Sequence, residues 1–229
     1  MARLPRLAVA DHVHLLLQRA RSGQAVFATP EDAHVYLRDL RAAADQNGVA
    51  VHAYSLSAAE AMLLVTPASA DALPRMVQSL GRRFASEYNR RHGGSGSPWD
   101  GRYRSTVIDP ARHFLECLCF VERSANLTDQ TFSSAAHHLG QKRDPLITAH
   151  SGYWRLGNTP FEREAAHLAL LAQGLSTETE SRIREALVKG WALGDPGFVT
   201  ALSGQAQRRA FPLVRGRPRS AKHCDSVPK

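Results

Sequence analysis

Few side chains in this sequence stand at spacings that could carry chemistry. His12-Val13-His14 sets two imidazoles either side of one apolar residue, so both nitrogens could face one divalent cation from one side of a strand. A motif this short is weak, and a packing or surface role is the stronger reading. Tyr88 and Tyr103 carry phenolic oxygens able in principle to attack an electrophile, yet both read better as packing or contact residues. Cys117 and Cys119 invite a redox reading. Two residues apart on a helix they do not face one another, so core packing is expected instead. His137-His138 falls in a polar stretch and reads as solvated, and Asp195 before Pro196 reads as a turn or cap residue. Glu60-Ala61-Met62 opens an apolar run, and Glu60 is the one acid there that could touch a hard cation.

The elements that must position these groups are legible from periodicity. Leu7 to Gln18 reads as a first buried strand. Thr29-Pro30-Glu31-Asp32 is a helix start, with a hydroxyl cap, proline at the first helical position and acids in the first turn. Gly48 is a stop signal. From His52 to Pro67 the chain reads as strand, small polar turn over Ser55 to Ala59, and second strand. Asp71 opens a second helix with Leu73, Met76, Val77, Leu80 and Phe84 inward, and Arg82, Arg83, Arg90 and Arg91 on other surfaces. Gly93 to Pro98 is a break, Tyr103 to Ile108 a strand, and Asp109-Pro110 caps a third helix carrying Phe114, Leu115 and Leu118. Two further helices are expected over Pro160 to Leu175 and Thr177 to Gly190.

This order predicts an α+β fold, a ferredoxin-like antiparallel sheet with helices on one face, plus a helical C-terminal extension and a basic tail. The expected divisions are 1–130, 131–207 and 208–229. The formal charge is +8, and seven of the 29 bases with one of the 21 acids lie from Arg208 to Lys229, leaving 22 against 20 elsewhere. A basic tail suits phosphate backbones and equally a solvated end. No apolar run reaches the roughly 20 residues of a membrane span, so no membrane partner is expected. Three cysteines and an N-terminus without a signal-like apolar core point to a reduced, cytoplasmic setting.

Several segments, in order along nearly the whole chain, resemble the REP-associated tyrosine transposases, single-tyrosine members of the HUH nuclease superfamily. They are Arg3-Leu-Pro-Arg6, Ala53-Tyr54, Leu63-Leu-Val65, Gly81-Arg82-Arg83, Tyr88-Asn89-Arg90-Arg91, Trp99-Asp-Gly-Arg-Tyr-Arg104, Gly190-Trp-Ala-Leu-Gly-Asp195 and Gly216-Arg-Pro-Arg219. The resemblance implies cleavage of single-stranded DNA with magnesium or manganese. Two histidines around one apolar residue would hold the cation, and a tyrosine on a later helix would become joined to the 5′ phosphate. An asparagine one turn beyond would complete the metal site.

Carried onto this sequence, the two histidines fall on Glu60 and Met62, the tyrosine on Phe120 and the asparagine on Ser124. All four have changed, so no intact catalytic set, no bound metal and no cofactor are expected. A makeshift metal set of Glu60, His12 and His14 is the alternative, since first and third strands adjoin in such a sheet. The resemblance makes DNA, single-stranded or hairpin, the expected partner of a monomer or homodimer. Arg82, Arg83, Arg90, Arg91, Arg102 and Arg104 would meet phosphates, Trp99 and Tyr103 would stack on bases, and Arg215, Arg217 and Arg219 would follow a groove. The rival expectations are an active nuclease with a non-standard site and a scaffold with no DNA role.

Overall fold

Capping chemistry fixes where the first helix begins in the computed structural model, which describes residues 6–21, 24–124, 132–206 and 208–212. Thr29 accepts from Asp32 N while the Asp32 carboxylate accepts from Thr29 N, a full capping box, and Pro30 starts α1 (Pro30–Asn47). Gly48 ends it in the left-handed region, at φ 65°, where other residues are strained. The strands are β1 (His14–Arg19), β2 (Val49–Ser57), β3 (Glu60–Pro67) and β4 (Arg104–Val107), with α2 (Ala72–His92) between the last two. They form one sheet in the order β2-β3-β1-β4, every neighbour antiparallel. This is the ferredoxin-like order expected from the sequence.

Alternation along the strands divides the core in two. Leu16, Leu63 and Val65 face α1 and α2, where Tyr36, Leu40, Leu73, Met76 and Phe84 are fully buried. Leu15, Leu17, Met62 and Leu64 face the opposite way, against α3 (Pro110–Arg123) and α7 (Thr177–Lys189). The paired helices α1 and α2 therefore take one face, as expected, and α3 with the C-terminal helices closes the other. A bulge at His52 shifts the β2 register between Val51 and Ala53, so Val51 and Tyr54 reach the same core despite odd spacing. The ring of His52 is held between Thr148 O and Thr66 Oγ1, each at 2.8 Å.

Two boundaries differ from the expected ones. The first strand starts at His14 rather than Leu7. Asp11, at φ 57°, turns the chain, and Leu7 and Val9 pack instead with Leu202 of α8 (Pro196–Gln205). The hairpin turn shrinks to Ala58-Ala59, because small polar residues still pair along β2 as far as Ser57. Beyond α3 come α4 (Ala135–His138), α5 (Ser151–Trp154) and α6 (Pro160–Gln173). Single bridges join this region to the outer strands: Ser55 with Ser133, Val51 with Ile147, and Ile108 with Leu193. No helix among the described residues is long and apolar enough to cross a membrane.

Candidate nucleic-acid interface

The start of β3 meets α3 on the second face of the sheet. Antiparallel pairing sets Glu60 opposite Arg19 and Met62 opposite Leu17. The Glu60 carboxylate accepts from Arg19 Nε at 2.6 Å. Met62 is buried, and its sulfur lies 3.3 Å from Ser124 Oγ, which also donates to Phe120 O at 2.6 Å. Phe120 is buried in the same apolar layer, with the Arg184 guanidinium 5.4 Å from its ring centre. Met62, Phe120 and Ser124 are thus in one place, and Glu60 stands at its margin. The groups assembled are a thioether, a hydroxyl bonded back to its own helix, a phenyl ring and a carboxylate neutralised by arginine.

The alternative metal set of Glu60, His12 and His14 is not assembled. His14 pairs with Val65 and Val107, five ladder steps from the Arg19–Glu60 pair, which is roughly 17 Å along the strand. Both His14 nitrogens are also engaged: Nδ1 donates to His12 O at 2.7 Å and Nε2 accepts from Val9 N at 3.3 Å. Burial drives its pKa down to about 4, so the ring is neutral and structural. His12 Nδ1 lies 2.7 Å from Ala10 O.

Beside Arg19 opens a cleft of about 410 Å³ between β1, β4 and the end of α7. Its walls carry Arg6, Arg19, Arg102, Arg104, Lys189 and Arg208 against a single acid, Asp100. Arg104 donates to Val188 O at 3.0 Å, and Arg208 donates to Gly190 O, which fixes both guanidinium groups at the rim. The Arg6 guanidinium lies 3.7 Å from the centre of the Tyr103 ring, a cation–π contact that aims it into the same space. A second, more open cleft of about 640 Å³ shares Arg6, Arg102 and Tyr103 and continues to Arg75 and Arg82 on α2. The two form a basic band around the loop from Gly101 to Tyr103.

Several expected contact residues are placed elsewhere. Trp99 is buried among Tyr36, Phe84 and Phe27, with ring centres 5.7–5.9 Å away, so it is a core residue and no platform for a base. Arg91 pairs with the fully buried Asp32 at 2.6 Å and ties α2 to the start of α1. Arg90 pairs with Glu87 on its own helix, and Arg83 donates to Gln46. Arg215, Arg217 and Arg219 lie outside the described residues. Arg82, Arg102, Arg104 and Tyr103 do line the band.

The sequence reading missed a buried polar cluster behind α3. Glu122 points away from Met62, and its carboxylate meets His138 Nδ1 and His167 Nε2, each at 2.6 Å. His138 is buried rather than solvated, because α6 folds over it. A signal existed at Glu122, one helical turn beyond Leu118 and therefore on a buried side of α3. None marked His138.

No family model matches this sequence, and no curated protein does. Solved structures are more informative. The REP-associated tyrosine transposase bound to a REP hairpin superposes with a TM-score of 0.50 over 66% of this chain and 92% of that chain, at 11% identity. The fold is transposase-like. A Deinococcus radiodurans R1 protein described as a transposase has a TM-score of 0.35, covering 50% of this chain and 89% of the other at 20% identity. At these identities the likeness is one of architecture.

Proposed function

We propose that this chain is a transposase-related protein that binds hairpin or single-stranded DNA and has lost strand cleavage. The observation that carries the reading is the basic cleft, where Arg6, Arg102, Arg104 and Arg208 join the ion-paired Arg19 and Lys189 on walls with one acid, beside the positions where the resemblance puts the chemistry. A phosphate backbone is the polyanion such a groove suits, with Arg102 and Arg104 as contacts and Tyr103 backing Arg6. Cleavage needs an oxygen nucleophile and hard donors around a cation. Phe120 supplies no oxygen, the Met62 thioether is soft, and Glu60 is spent on Arg19.

Two measurements test this. Fluorescence anisotropy with a hairpin carrying an unpaired extension should give tight binding at 50 mM salt that weakens steeply towards 200 mM, and Arg102→Ala with Arg104→Ala should flatten that slope by about 2. Salt-insensitive binding, or none, removes the DNA role. Incubation of the same labelled DNA with manganese should yield no covalent protein–DNA adduct. An adduct overturns the loss of cleavage.

A further inference from the structure

Glu122 is a carboxylate that the DNA reading does not use. Oε1 accepts from Ser134 Oγ and His138 Nδ1, both at 2.6 Å, and Oε2 accepts from His167 Nε2 at 2.6 Å. All four side chains are buried, and one ligand atom from each of Glu122, His138 and His167 lies within 4.8 Å of the others. A buried carboxylate is costly unless its oxygens are paired. Among the described residues Glu122 forms ion pairs only with His138 and His167, and no lysine or arginine joins it. The carboxylate oxygens therefore face two imidazole nitrogens and one hydroxyl, a donor set that also suits a cation held between the rings. His167 Nδ1 is also buried with no partner among the described residues.

We propose that Glu122, His138 and His167 bind one divalent transition-metal ion of the zinc class. Two imidazole nitrogens and one carboxylate oxygen are the borderline donor set such ions take, and magnesium does not. Metal–ligand distances of about 2.1 Å require neighbouring donors to stand roughly 3.3 Å apart, so the 2.6 Å contacts open slightly as the ion enters. Each ring coordinates as neutral imidazole, with its proton moved to the other ring nitrogen or lost to solvent. Ser134, already on Glu122, orients the carboxylate. A fourth position is left for water, and His138 alone of the three also lines a neighbouring cleft of about 260 Å³, with Tyr153, Arg163 and Glu164. The site clasps α3 to α4 and α6. It lies on the side of α3 away from Met62 and Ser124, apart from the positions where the resemblance puts the family's cation.

The test is Co²⁺ titration of the full chain with any affinity tag removed. Expected are one equivalent bound, the intense visible bands of tetrahedral cobalt, displacement by Zn²⁺, and a rise in melting temperature reversed by EDTA. Glu122→Gln and His167→Gln should each weaken binding by more than about 100-fold, while His12→Gln leaves it unchanged. Bands retained in both cluster variants place the metal elsewhere and overturn the proposal, as does wild-type protein that binds no cobalt. Because the variants could unfold, zinc absorption spectroscopy on wild-type protein gives an independent answer. A shell of two imidazoles with oxygen supports the site, and a shell containing sulfur sinks it. DNA affinity plays no part in either readout.

Discussion

Glu60 and Arg19 make opposite predictions although they form one ion pair. Their side chains are 27% and 39% exposed, so the pair itself contributes at most about 1 kcal/mol to stability. Arg19 lines the basic cleft, and Glu60 neutralises it. Arg19→Ala should weaken hairpin binding and lower the salt slope by about 1, whereas Glu60→Ala should tighten binding, with urea midpoints nearly unchanged in both. Equal effects of the same sign would remove Arg19 from the interface. Met62 is a different case. It is buried against Phe120 and Ser124, and Met62→Ala should cost about 3 kcal/mol in urea unfolding whatever it does to DNA. That Met62, Phe120 and Ser124 converge could be read from the sequence only through the resemblance. The Arg19 partner of Glu60 could not, because it depends on the β1–β3 register.

At the scale of elements, the most consequential contact joins two helix ends. Asp32 caps α1 through Thr29, and its buried carboxylate also takes Arg91 at 2.6 Å and His92 at 2.8 Å from the end of α2. Asp32→Ala removes the reciprocal half of the capping box and leaves the half-buried Arg91 and the exposed His92 without their partner, so it should cost about 2 kcal/mol. Thr29→Ala, which removes only the cap, should cost about 1 kcal/mol. The cap was legible from Thr-Pro-Glu-Asp alone, since capping is local chemistry. The link to Arg91 was not, and Arg91 looked like a phosphate contact because charge on a helix does not reveal what faces it across 59 residues of chain. Trp99 failed for the same reason, its role being set by packing against Tyr36 and Phe84. Likewise the hydrophobic run from Leu7 suggested one long strand, while the turn at Asp11 sends its first part to α8.

For the whole molecule, buried neutral histidines set the acid limit. His14 and His52 have pKa values pushed down to about 4 by burial, against 6.5 unfolded. Folding therefore favours the neutral rings, and the stability they contribute is complete above pH 6.5 and lost as pH falls towards 4. Each shift corresponds to roughly 3 kcal/mol over that window. Urea titrations at pH 7.5 and pH 5 should show the loss, and His14→Gln should reduce the difference. An identical pH dependence in that variant would assign the acid sensitivity to other groups. The edges of the sheet carry a separate consequence. Thr148 N donates to Val51 O, and Ser134 N donates to Tyr54 O, on β2; Leu193 N donates to Val107 O on β4. The C-terminal region thus occupies backbone groups on both outer strands, which a visiting strand would otherwise pair with. At these positions both edges of the sheet are already covered, which hinders the addition of a foreign strand to either one.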